Sequence, residues 1–211
     1  MIRSDRRAAG RLVSGLLLLS AVSSAYADRL ISIPVGRKVP LGTIRSELFF
    51  EPHRGGTSEY YFAAGLSREI ELEYRTQRLR FQDVREAIDL SYNFLAPVSD
   101  LSPGISVGVQ DLFNRTNDRR RVYAALTYRQ SSPTGDGDQP ADLTIGAYAG
   151  ENSSAFVGWS QPLSASFRLL ADHNGYRLSA GFEYRPIRDL AVRFFARGPQ
   201  TFMSLSYSKR F

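Results

Sequence analysis

In the stretch YRLSAGFEYR, Tyr176, Leu178, Ala180, Phe182 and Tyr184 fall on one side, and Arg177, Ser179, Gly181, Glu183 and Arg185 fall on the other. A helix would scatter those apolar positions round its cylinder, whereas a strand gathers them on one face. The same period of two returns in VREAIDLSYNF, where Ile88, Leu90, Tyr92 and Phe94 oppose Arg85, Ala87, Asp89, Ser91 and Asn93. RVYAALTYR sets Val122, Ala124, Leu126 and Tyr128 against Tyr123, Ala125, Thr127 and Arg129, and LAVRFFAR behaves alike. Twelve such segments succeed one another, near 43–51, 58–66, 69–78, 84–95, 104–112, 120–130, 142–150, 153–161, 164–172, 175–185, 189–197 and 200–211. The spacers read as hairpin turns: Asn174-Gly175 is the strongest short signal, and Arg197-Gly198-Pro199-Gln200 is comparably tight. Pro162 and Pro186 are expected between segments, where a missing N–H does no harm. The chain is therefore all-β. One spacer, SSPTGDGDQPAD, is long for a turn, which keeps ten strands with a looser middle as the alternative count.

The first 27 residues do not belong to this pattern. Four arginines in MIRSDRRAAGR precede the apolar run LVSGLLLLSAVSSA, and Ala25-Tyr26-Ala27 then offers small residues for cleavage before Asp28. That is the layout of a secretory signal peptide. Setting it aside leaves residues 28–42 as a periplasmic N-terminal segment and 43–211 as the alternating domain. It also alters the charge. The chain carries 27 Lys and Arg against 21 Asp and Glu, with a pI near 9.8, but the leader holds four arginines and one aspartate, so 23 basic residues face 20 acidic ones. The apparent nucleic-acid signal disappears. No cysteine is present, so neither disulfides nor thiol chemistry enter.

An exported alternating chain is either a soluble sheet or a closed barrel in an outer membrane. The residues at the segment ends favour the barrel: Tyr60, Tyr74, Tyr92, Phe94, Tyr128, Tyr176, Tyr184, Tyr207 and Phe211 would form interfacial girdles. The other face carries both signs, with Arg45, Glu47, Glu71, Glu73, Arg75, Asp89, Arg129, Arg177, Glu183, Arg185, Arg193 and Arg210 as a candidate charge network inside the lumen. A single antiparallel transmembrane barrel of about twelve strands is expected. Twelve lies between barrels filled by side chains and barrels with an aqueous channel. The interior is therefore expected to be a salt-bridged plug with at most a narrow polar path.

The chain ends TFMSLSYSKRF, which resembles the C-terminal signal of Gram-negative outer-membrane barrels. Phe211, Tyr207, Leu205 and Met203 match it, and Lys209 departs from the apolar residue usual at its position. The resemblance implies an outer-membrane location, recognition of this strand by the barrel assembly machinery, and contact with outer-membrane lipids and lipopolysaccharide. A narrower resemblance rests on ISIPVGRKVPLGTIRSEL (31–48), on the proline-marked hairpins and on EYRPIRDLAVRFFARG. These are similar to the YjbH-type family of exopolysaccharide-associated outer-membrane proteins, with Ile33-Pro34-Val35-Gly36 and Pro40-Leu41-Gly42 as counterparts of its Pro-Thr/Val-Gly element. It implies a non-enzymatic role in production, export or surface handling of exopolysaccharide. A small passive pore for polar solutes is the alternative, and a lipid-modifying enzyme a distant third.

Catalytic, cofactor and metal signatures are weak. His53 and His173 both fall in spacers without a nearby serine nucleophile. Asp136, Asp138 and Asp142 do not match a calcium loop and read as a solvated acidic turn. The one basic cluster, Arg115, Arg119, Arg120 and Arg121 with Asp118, is expected at the outer tip of the third hairpin. There paired guanidinium donors could hold lipopolysaccharide phosphates or an anionic glycan.

Overall fold

The computed structural model describes residues 30–52, 56–79, 82–116, 119–132 and 139–211. The expected leader, His53, Asp118, Asp136 and Asp138 lie outside these described residues.

Twelve strands form a closed antiparallel barrel: β1 (Thr43–Phe50), β2 (Ser58–Gly65), β3 (Ile70–Arg78), β4 (Arg85–Leu95), β5 (Gly104–Gln110), β6 (Arg121–Gln130), β7 (Ala141–Gly150), β8 (Ser154–Pro162), β9 (Phe167–His173), β10 (Leu178–Ile187), β11 (Leu190–Arg197) and β12 (Gln200–Arg210). Each pairs with its neighbours in sequence, and β12 pairs with β1 in the register Thr43↔Arg210 to Phe50↔Met203. Closure leaves no strand edge unpaired. The rim that holds Thr43 and Phe211 is called the lower rim, and the opposite one the upper rim.

The alternation read from sequence becomes an outside and an inside. Leu90, Tyr92 and Phe94 of β4, Val122, Leu126 and Tyr128 of β6, and Leu178, Phe182 and Tyr184 of β10 are exposed on the exterior. An apolar exterior of this extent far exceeds the patches that soluble monomers show. Near the lower rim Tyr92 meets Phe94 edge-on at 4.9 Å and Phe167 stacks on Tyr184 at 4.8 Å, with Trp159 and Tyr207 exposed at similar strand positions. These rings form an interfacial girdle of the kind that barrels place at the membrane boundary.

The turns follow local chemistry. The Asn174 side chain accepts the N–H groups of Tyr176 (3.1 Å) and Arg177 (2.9 Å), while Gly175 takes a φ of 92° that a side chain would resist. The prolines differ from expectation. Pro162 ends β8, and Pro186 lies within β10, where the register shifts between Tyr184 and Ile187. A bulge asks no ladder hydrogen bond of that residue, so the strand continues past the proline.

Candidate functional site

The sequence reading makes residues 28–42 a periplasmic N-terminal segment. Residues 30–39 lie inside the barrel. Leu30, Ile31 and Ile33 are buried, and Ile31 and Ile33 expose nothing. They pack with a layer of large side chains that point inward near the upper rim: Phe49, Tyr61, Tyr123, Tyr148, Phe156, Leu170, Phe195 and Phe202. Adjacent rings touch, as in Phe49–Tyr61 at 5.1 Å, Tyr148–Phe156 at 4.7 Å and the Phe195–Phe202 stack at 5.5 Å. A polar lumen has no use for such a belt, and the N-terminal segment supplies its missing partner. Burying each aliphatic side chain contributes roughly 1.5–3 kcal/mol. That gain moves the segment from the aqueous side into the lumen.

Polar contacts fix the segment along its length. Toward the upper rim, the Ser32 backbone N–H and hydroxyl donate to the two carboxylate oxygens of Asp172 at 2.7 and 2.6 Å. Lower down, the Gly36 N–H donates to Thr127 Oγ1 at 2.7 Å and Ser106 Oγ donates to the Val35 carbonyl at 3.0 Å. A Cβ on Gly36 would sit 2.6 Å from the Gly104 carbonyl oxygen, so only glycine lets the two backbones approach. The Val39 N–H donates to Glu71, and the chain then enters β1 at the lower rim.

Many of the charges pair across neighbouring strands of the inner wall. Glu183 and Arg193 face each other in the β10–β11 register and meet at 2.6 Å. Arg193 also reaches Glu47 at 3.1 Å, Arg45 lies 3.7 Å from Glu47, and Arg185 bonds Glu183 at 2.6 Å. Arg75 lies 3.8 Å from Asp89. Glu71, Glu73 and Asp89 line a cavity of about 50 Å³ beside Pro34, Val35 and Arg37 of the segment. Arg129 bonds Asp142 at 3.1 Å. Asp142 thus belongs to no acidic turn. It is buried in β7, and Arg37 of the segment (2.7 Å) and Arg168 (3.9 Å) approach it as well. Arg177 and Arg210 stand apart: Arg177 lines the upper cavity described next, and Arg210 is exposed at the lower rim.

Above the segment the lumen opens into a cup of about 660 Å³. Ser32 is part of its floor, and Glu59, Gln77, Arg121, Arg177 and Arg197 are part of its wall. Glu59 accepts from Arg197 (3.2 Å), Tyr61 Oη (2.7 Å) and Gln77 (3.2 Å). Arg121 leaves the basic loop cluster read from sequence. It opens β6 facing inward, lies over the Tyr148 ring at 4.3 Å and donates to Gln110 at 3.0 Å. Arg115, Arg119 and Arg120 remain exposed on the upper loop, and Arg119 pairs with Glu151. His173 ends β9, exposed, and its Nδ1 accepts the Gly175 N–H at 3.2 Å. Among the described residues no group of three or more His, Cys, Asp or Glu side chains could hold a metal ion.

On β12, Met203, Leu205, Tyr207 and Lys209 all face outward. Phe211 follows, 80 % exposed, with its N–H donating to the Gly42 carbonyl at 2.9 Å and the Lys209 ammonium over its ring.

No protein-family model matches the chain, and no curated protein matches its sequence. The architecture carries the classification: a closed twelve-stranded barrel with an apolar exterior and a charged interior fits an outer-membrane barrel protein.

Proposed function

We propose that this is a non-enzymatic bacterial outer-membrane barrel that takes part in the production, export or surface handling of exopolysaccharide, and that it does not work as an open pore. The observation that carries the second half is the filled lumen. Ile31 and Ile33 are wholly buried within the aromatic belt, and the segment is pinned at Asp172, Thr127 and Asp142. An even strand number brings the start of β1 and the end of β12 to one rim; with that rim periplasmic, the cup opens to the outside. The exposed Phe211 strand is then available to the assembly machinery, and Arg115 and Arg120 on the upper loop are placed to meet lipopolysaccharide phosphates. The exopolysaccharide part rests on the resemblance of 31–48 and of the proline-marked hairpins to the YjbH-type family. The competing passive pore requires the segment to leave the lumen. His173, held by its own turn, gives the enzyme reading no base directed at a nucleophile.

The test pairs two measurements. Liposomes holding the purified full chain should not swell in arabinose or raffinose, and a deletion strain should lose surface polysaccharide without altered solute uptake. Swelling by the intact protein would replace this reading with the passive pore.

A further inference from the structure

We infer that the upper cup is a binding site for a short acidic oligosaccharide, its carboxylates taken by Arg121 and Arg177. This rests on the exopolysaccharide reading for its biological setting, while the cup's own lining points to the ligand.

The first point is charge. Among the described residues the cup is lined by four arginines, Arg75, Arg121, Arg177 and Arg197, against one carboxylate, Glu59. Glu59 is engaged by Arg197, and Arg75 faces Asp89. Arg121 instead has neutral company, the Gln110 amide and the Tyr148 ring, and Arg177 projects exposed from the turn before β10. Two guanidinium groups therefore offer planar, multi-donor faces to an incoming anion.

The second point distinguishes a sugar from a simple anion. Asn152, Asn174, Gln77 and Gln200 line the same cup. An amide both donates and accepts, as a sugar hydroxyl does, whereas a fully deprotonated anion such as sulfate only accepts. Tyr176, 57 % exposed on the cup wall, offers an aromatic surface to the apolar face of a pyranose ring.

The third point is shape. About 660 Å³ falls within the range of small-ligand sites, roughly 300–1,000 Å³. The segment at Ser32 forms the floor, so a chain end is held rather than threaded through. The rigid ladder on either side of Arg121 fixes one guanidinium before the ligand arrives, which lowers the ordering cost of binding.

The experiment is calorimetric titration of the full chain in nanodiscs of zwitterionic lipid with trigalacturonic acid, with neutral maltotriose, and with lipopolysaccharide. Trigalacturonate is expected to bind, to weaken as salt rises, and to lose about tenfold or more of its affinity in Arg177→Gln and in Arg121→Gln, the loss expected for a hydrogen bond to a charged group. Arg121 is buried, so its variant is read only if the heat-shifted gel mobility of the closed barrel survives; Arg177→Gln, on an exposed turn, keeps the test decisive. Equal affinity for maltotriose, binding of lipopolysaccharide alone, or no binding at all would each overturn the inference. The two readings fail separately. Trigalacturonate binding without any polysaccharide phenotype on deletion would leave the cup assigned and remove the exopolysaccharide role; the reverse pattern would do the opposite.

Discussion

Asp142 is one carboxylate approached by three guanidinium groups, and its removal takes from all three a shared buried counter-charge. Taking one partner from a buried ion pair costs about 3–5 kcal/mol, far more than a surface pair contributes. Asp142→Asn should lower the stability of the refolded barrel by that amount, read from the urea midpoint of its gel-shifted form. The loss should be smaller in combination with Arg37→Met than the two single losses together, because the variants share one contact. Lys38 makes a different residue-scale prediction. Burial pushes its ammonium down from the usual lysine range to about 8, against the opposing pull of the Glu71 carboxylate. The unfolded chain then binds more protons than the folded one between pH 8 and the ordinary lysine value of 10.5. Stability should therefore rise across that interval and stay flat below it. A Lys38→Met variant should lack the rise.

At the scale of elements, the N-terminal segment and the strand ladder are separable. The ladder closes through β1 and β12 without help from residues 30–39. Gly36→Val would bring side-chain carbon against the Gly104 carbonyl, so the segment could not seat. We expect this variant to keep the gel shift of a closed barrel and to gain conductance in planar bilayers, where the parent is expected to be silent. An unchanged, silent bilayer would mean that side chains alone fill the lumen. Position 32 offers a directional check in a chain without cysteine. Ser32→Cys should react with a membrane-impermeant thiosulfonate added on the cup side and stay unreactive to reagent confined to the other side.

For the whole molecule the apolar exterior is what a surrounding of lipid would cover. Trp159, the only tryptophan, lies exposed on the exterior among the lower-rim aromatic residues. Its fluorescence should shift to the blue on folding into bilayers and be quenched most by lipids brominated near the headgroup. Emission typical of water after folding would refute membrane embedding. Phe211 contributes little to the finished barrel, because its ring is exposed and only its N–H bonds the Gly42 carbonyl. Deleting it should sharply lower the yield of assembled barrel in cells while scarcely changing the urea midpoint of protein refolded in vitro.

How much of this was legible in the chain varies with the range of the interaction. A strand's two faces are set by a period of two, so Leu178, Phe182 and Tyr184 declared their side from local sequence, and the twelve strands with their hairpin order followed from repetition of that signal. The local pairs Glu183–Arg193 and Arg129–Asp142 lie on consecutive strands, yet only the register made them opposite one another, and Asp142 read locally as part of an acidic turn. The belt of Phe49, Tyr123, Tyr148 and Phe195 did leave a trace, as large rings on the face that otherwise carries charge. What those rings pack against comes from residues 30–33, up to 165 positions away, and no periodicity encodes a contact of that span. Sequence alone determined the alternation, the strands and the apolar exterior, because each depends on neighbours in the chain. Tertiary structure alone decided that Leu30, Ile31 and Ile33 enter the lumen and that the arginines above them line an open cup, because both depend on closing the sheet around a segment that belongs to none of its strands.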